Sequence, residues 1–194
     1  MKKPFFYLLT AGLACSMLAN TNTTNAEEVD TDTSNASISF SEGALTLDEV
    51  SDITFGVNPI TVADTDIPSE TGATLSVTDL RGSGAGWHVT AQLNPFTSSE
   101  SENSLPGASL NLVTGEAEST AGETYNPNVP AGTSLIAGGA SAAVVTADEN
   151  TGLGQTVATW AAEATTLTVP GSLATTGETG HTAVINWSLE DTPQ

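Results

Sequence analysis

From Ile38 onward, the chain alternates between apolar and polar residues in short runs separated by Gly, Pro, Asn and Asp. Strict alternation places every second side chain on one face of a β-strand, and no stretch shows a convincing helical repeat of 3.6 residues. Threonine is abundant in these runs, and with valine it favours pleated sheet over helix. The pattern predicts at least seven strands, in the segments Ile53–Val57, Ala73–Asp79, Trp87–Leu93, Ser109–Val113, Gln155–Ala161, Thr165–Pro170 and Thr182–Leu189.

Many short strands with turn residues between them are typical of antiparallel β-architectures. We therefore expect an all-β fold, an antiparallel β-sandwich that is Ig-like or jelly-roll-like, with little helix. A short helix is possible in Ser134–Val145, which is rich in alanine. The paired glycines Gly138 and Gly139 argue against a long helix there, because glycine disfavours helix interiors.

The first 26 residues have the three parts of a secretion signal. Lys2 and Lys3 make the start positive, an apolar run follows from Phe5 to Ala19, and small residues end the segment at Ala26. The apolar run is too short for a comfortable membrane span. We predict a signal peptide at residues 1–26, a flexible acidic leader at 27–37 and a folded domain at 38–194, with no membrane insertion after signal cleavage.

Charge and cysteine content narrow the possible functions. The chain has 23 acidic and three basic residues, a formal net charge of −20, and Arg81 is the only Lys or Arg after the predicted signal. Such a chain lacks the cations that neutralise phosphates, so we expect no nucleic-acid partner. Its single cysteine, Cys15, lies in the predicted signal. The mature chain therefore has no residue for a disulfide or a thiolate site.

The remaining candidate chemistry is weak. His88 and His181 lie off the apolar register of their segments and lack the spacing of metal ligands, so we expect solvated or locally hydrogen-bonded imidazoles. Gly82, Gly84 and Gly86 lack the lysine and the following helix of a phosphate loop, and we expect them to form a tight bend or bulge. We expect no cofactor, no metal and no enzyme. A glycosidase, which needs only two carboxylates, is the alternative.

Two segments of the chain resemble the WxL-domain surface proteins of low-GC Gram-positive bacteria. Asp79–Leu93 has a D-x-R step, a Gly-rich turn and then Trp87-His88-Val89, where Val89 replaces the leucine of the family pattern. Trp187-Ser188-Leu189 gives a complete second triplet near the chain end, followed by Asp191 and Pro193. A V-P-G step at residues 169–171 agrees as well. The resemblance covers essentially the whole mature chain.

The resemblance implies a secreted protein held non-covalently on the cell surface, with peptidoglycan as the wall ligand. It also implies companion surface proteins, often membrane-tethered, from the same gene cluster. Wall or partner binding would then involve Trp87, Val89, Trp187 and Leu189, with Arg81 nearby. Two functions stay open, namely direct binding to the wall and membership of a surface complex in which a companion protein contacts the W-x-L face.

The roles of the tryptophans and of the arginine also stay open. Trp87 and Trp187 each share a face with aliphatic residues of their own strand, which is typical of core packing, with the two indoles in contact across strands. They could instead form an exposed platform for sugars or a partner. Arg81 either pairs with Asp79 to fix the glycine turn or binds a carboxylate of a muropeptide.

Overall fold

The structure, a computed structural model, describes residues 30–99, 104–171 and 180–192. The chain divides into two units, Met1–Ser39 and Phe40–Gln194. The predicted signal peptide lies outside the described residues. Of the predicted leader, residues 30–37 are exposed and form neither strand nor helix.

The second unit consists of β-strands, in agreement with the alternation in its sequence. Within the described residues there are eleven: β1 (Leu45–Val50), β2 (Thr65–Pro68), β3 (Ala73–Asp79), β4 (Trp87–Leu93), β5 (Ser109–Leu112), β6 (Gly115–Ser119), β7 (Thr133–Ile136), β8 (Ala142–Ala147), β9 (Gly154–Trp160), β10 (Thr165–Val169) and β11 (Ile185–Glu190). Helix in the same residues is limited to two 3-10 turns, Glu123–Tyr125 and Ala162–Ala164.

The strands form three sheets, and every pairing between neighbours is antiparallel. Sheet A has the order β1-β3-β9-β6, sheet B has the order β2-β10-β5-β7, and sheet C has the order β11-β4-β8. The prediction of an all-β antiparallel fold with little helix is confirmed. In sheet C, the strand that contains the first W-x-L-like triplet is central and the strand that contains the second is at the edge.

One apolar core receives side chains from all three sheets. Leu75 of sheet A, Leu112 of sheet B and Val89 of sheet C are each 0% exposed. Along β9, buried residues alternate with more exposed ones, as period-2 geometry requires. Full burial of one such aliphatic side chain contributes about 1.5–3 kcal/mol to the free energy of unfolding. The core therefore explains the alternation seen in the sequence.

The segment Ile53–Val57 alternates but is not a strand, so that prediction is wrong. Gly56 has a φ of 63°, in the left-handed region, which interrupts an extended backbone. Ile53 and Phe55 are half-buried, pack against the core and line an apolar pocket of about 690 Å³. The segment alternates because a loop buries the side chains of Ile53 and Phe55, and it forms no ladder with another described strand.

The prediction of a possible short helix in Ser134–Val145 is also wrong. β7 pairs with β5, β8 pairs with β4, and the turn between them includes Gly138 with a φ of 74°. Cross-strand pairing and burial outweigh the helix propensity of alanine here. Alternation does not predict β1, β2 and β6 either, because these strands are short or rich in acidic residues.

Candidate functional site

The two triplets lie side by side on neighbouring strands of sheet C. β11 pairs with β4 through six consecutive residues without a register shift. Leu189 is opposite Val89, and Trp187 is opposite Ala91. Trp87 lies four residues from Ala91 along β4, a distance of about 13 Å in an extended strand. The two indoles are therefore not the cross-strand pair that the sequence suggested.

Trp87 is a core residue. It is 0% exposed, it pairs with Ala147 of β8, and its indole Nε1 donates a hydrogen bond to the Gly152 carbonyl at 3.1 Å. A Cβ at Gly152 would lie 2.6 Å from that nitrogen, so glycine is needed for this contact. Val89 is also 0% exposed. The platform interpretation is wrong for Trp87, because the buried indole has no surface to offer.

The second triplet has a different environment because, within the described part of the chain, β11 has a neighbouring strand on one side only. Its odd-numbered residues Ile185, Trp187 and Leu189, here called the β11 strip, pack against the core but remain half-buried. The even-numbered residues Asn186, Ser188 and Glu190 are exposed on the opposite face. Trp187 and Leu189 therefore combine an anchored position with accessible apolar surface.

Arg81 is committed to an ion pair. Its Nη2 lies 2.8 Å from Oδ2 of Asp79 and its Nε donates to Oδ1 at 3.0 Å, a bidentate arrangement. The same guanidinium donates to the Gly86 carbonyl at 2.8 Å and to the Asp191 carbonyl at 3.4 Å. The two side chains are 13% and 1% exposed. The geometry agrees with the ion-pair interpretation, because these contacts use the donors that a muropeptide carboxylate would need.

The electrostatics of this pair follow from burial and charge. Burial alone would raise the pKa of Asp79, but hydrogen bonds from Arg81 and its positive charge outweigh that effect and hold the pKa below its ordinary 3.8. Hydrogen bonding to Asp79 in turn raises the pKa of Arg81, against the effect of desolvation. The pair joins the end of β3, the glycine turn and the chain segment after β11.

The three turn glycines all have left-handed backbones, with φ values of 70° at Gly82, 65° at Gly84 and 77° at Gly86. A Cβ at Gly86 would lie 2.5 Å from the Ala147 carbonyl oxygen, whereas one at Gly82 would meet nothing within 4 Å. The Gly84 carbonyl accepts a hydrogen bond from the Asn150 N–H at 2.8 Å. This turn leads directly into β4 and sets the position of Trp87.

Both histidines are hydrogen-bonded. Nδ1 of His88 makes a short contact with the Thr192 carbonyl, and Nε2 lies 3.6 Å from the Glu190 carboxylate. Nδ1 of His181 lies 2.8 Å from the Ser104 hydroxyl. Among the described residues, no group of three or more His, Cys, Asp or Glu could hold a metal ion. No helix in that part of the chain is long and apolar enough to cross a membrane.

Two features of this site have no signal in the sequence. Gly152 accepts the Trp87 hydrogen bond from 65 residues away, and nothing in its surroundings marks it as a partner. The main chain after β11 is held by Arg81 and His88 through the carbonyls of Asp191 and Thr192. Both contacts depend on strand order, which alternation alone does not define.

The sequence matches the WxL domain family, described as surface cell wall-binding, over residues 20–193. The chain therefore belongs to the WxL-domain family of cell-surface, cell wall-binding proteins, and the resemblance seen in its sequence is confirmed. This family is one of wall-binding surface domains and not of enzymes. Comparison with curated proteins gave no match, and comparison with solved structures gave none either.

Proposed function

We propose that the protein attaches non-covalently to the Gram-positive cell wall by binding peptidoglycan directly, with the β11 strip as the contact surface. The observation that carries this proposal is that Trp187 lies on an edge strand and is only partly buried. A partly buried indole keeps a fixed orientation and can still offer apolar surface to a sugar ring. Leu189 extends the same accessible strip by one alternate position.

The other predicted binding residues support the strip and do not touch the ligand. Val89 and Trp87 are buried in β4, the strand that pairs with β11 in sheet C. Arg81 holds the chain after β11 through the Asp191 carbonyl. Loss of any of these residues would move or loosen β11. Substitutions at these residues would therefore reduce wall binding indirectly, by disturbing the folded position of β11.

Charge favours a contact that is not electrostatic. The chain has 23 acidic residues, and the only arginine is already paired. The Gram-positive wall is polyanionic, so general electrostatics would repel this protein from it. Hydrogen bonds and aromatic contacts are the interactions that remain for holding the protein on the wall. Salt weakens them far less than it weakens ion pairs.

Sedimentation with purified, protein-free peptidoglycan tests the proposal. We expect the protein to sediment with peptidoglycan and Trp187→Ala to reduce the bound fraction at least tenfold. Ser188→Ala, on the opposite face of the same strand, is the matched control and should bind like the unmodified protein. Thermal melting shows that both variants are folded. Equal binding by the two folded variants would remove the β11 strip from the proposal.

A second candidate is a subunit of a surface complex, in which a companion protein contacts the W-x-L face and wall association is indirect. The observation that favours it is that β11 is an edge strand whose outer backbone pairs with no other described strand. Binding to crude walls, but not to protein-free peptidoglycan, would support this candidate over direct attachment. Release of soluble sugar or muropeptide in the same assay would instead indicate a wall-glycan enzyme.

A further inference from the structure

The outer edge of β11 carries backbone hydrogen-bonding groups that no described strand pairs with. The Asn94 N–H donates to the Val184 carbonyl at 2.9 Å. Antiparallel ladders alternate between bonded and non-bonded pairs, so the even-numbered residues of β11 bond to β4. The N–H and C=O groups of Ile185, Trp187 and Leu189 therefore point away from β4. No strand among the described residues pairs with them.

The other edge strands of the three sheets are protected in ways that β11 is not. β1 has a register shift between Leu47 and Glu49, and the four-residue β2 ends in Pro68. β6 has only five residues, β7 has four, and β8 is bridged at Thr146 by Asn128. β11 has six residues in continuous register and contains neither proline nor lysine. Proteins normally protect such an edge unless it is used.

Side-chain chemistry defines the strand that would fit. One face of β11 offers the half-buried apolar strip, and the opposite face is polar with Glu190, whose side chain is 53% exposed. Asp191 follows and is also exposed. A complementary strand would alternate apolar residues with Lys or Arg, because opposite charges on neighbouring strands stabilise a sheet and like charges destabilise it. A second copy of this acidic chain is disfavoured for the same reason.

We propose that β11 accepts an added β-strand from a partner polypeptide whose sequence alternates apolar and basic residues. The inference rests on the second candidate function and gives it a mode of contact and a partner chemistry. Main-chain hydrogen bonds to Ile185, Trp187 and Leu189 supply the pairing, as in strand addition generally. The alternating side chains and the opposite charge supply the selectivity.

A synthetic eight-residue peptide of alternating lysine and valine is the probe, and its glutamate–valine counterpart is the control peptide. We expect the lysine peptide to bind and to slow amide hydrogen exchange at residues 185, 187 and 189, with the glutamate peptide at least tenfold weaker. Equal affinity of the two peptides, no binding at about 1 mM, or slowed exchange only at other strands would overturn the proposal. This footprint uses the unmodified protein, so it does not depend on variants.

Variants that change the backbone N–H groups of β11 give an independent test of the proposal. Ile185→Pro and Leu189→Pro each remove one outward backbone N–H. Ile185→Ala and Leu189→Ala also shorten the side chain but keep the backbone N–H. The proline variants should bind the lysine peptide at least tenfold more weakly than their alanine partners, and equal binding within a pair contradicts the proposal. Self-association abolished by Leu189→Pro would make a second copy the occupant and also overturn it. Peptidoglycan sedimentation of the same variants measures direct wall attachment separately.

Discussion

Leu189 lies directly opposite Val89 in the ladder between β11 and β4. The third residues of the two triplets thus form one cross-strand pair, although they are one hundred residues apart in the chain. Val89 is fully buried and Leu189 is half-buried. The same three-residue pattern therefore has two roles in one sheet, because the central copy builds the core and the edge copy has accessible surface.

Replacement of the two tryptophans should separate these roles. Trp87→Ala removes a fully buried indole and its hydrogen bond to Gly152, so we expect the free energy of unfolding to fall by about 3–5 kcal/mol. Trp187→Ala removes a half-buried side chain and should cost only about 1–2 kcal/mol. Urea denaturation of both variants measures the difference. Equal losses would contradict the distinction between a core copy and a surface copy.

The glycine turn offers a matched pair of substitutions. Gly82→Ala and Gly86→Ala both force an L-residue into a left-handed backbone, which costs about 1–2 kcal/mol. Only at Gly86 would the new Cβ also meet a backbone carbonyl, at 2.5 Å from the Ala147 oxygen. We therefore expect a clearly larger loss of stability in Gly86→Ala than in Gly82→Ala. If denaturation shows the two variants to be equal, the turn does not fix the start of β4.

The Asp79–Arg81 pair should make stability depend on pH in the acidic range. The pKa of Asp79 is held below its ordinary value, so the ionised carboxylate adds stability above its unfolded-state pKa, and this stability is lost as the pH falls through the folded-state value. We expect the free energy of unfolding to fall below about pH 4. Asp79→Asn should be less stable at pH 7 and lose less stability between pH 7 and pH 3.

The exposed residue Asp52 supplies the control for that experiment. Asp52→Asn should follow the pH profile of the unmodified protein, because its side chain is outside the Arg81 network. Urea denaturation at both pH values measures all three proteins. A profile of Asp79→Asn that parallels the unmodified protein would show that the buried ion pair is not linked to folding.

Local sequence predicted the strands best where alternation and ladder pairing coincide. Ala73–Asp79 and Trp87–Leu93 are strands with the predicted bounds, because both are central in their sheets and alternate between core and outer face. Ile53–Val57 alternates equally well but has no ladder partner, since Gly56 adopts a left-handed backbone. The Ala-rich segment before Val145 forms strands because long-range pairing outweighs local helix propensity.

The candidate site was predictable in its residues but not in their exposure. Alternation placed Trp87 and Trp187 on apolar faces alike, and the two positions look equivalent in sequence. Strand order makes them different, because among the described strands β4 has neighbours on both sides and β11 has one neighbour. Strand order depends on contacts between distant segments, such as Trp87 with Gly152, which no local pattern contains. The Asp79–Arg81 contact, by contrast, is local and was anticipated.

Wall binding measured against salt concentration tests the central claim most directly. The unmodified protein, Trp187→Ala and Ser188→Ala are sedimented with protein-free peptidoglycan from about 50 mM to about 500 mM NaCl, a range over which screening removes most long-range charge effects. The account predicts that the unmodified protein and Ser188→Ala bind equally well or better as salt rises, while Trp187→Ala binds weakly throughout. Loss of binding by the unmodified protein at moderate salt, or full binding by folded Trp187→Ala, would contradict it.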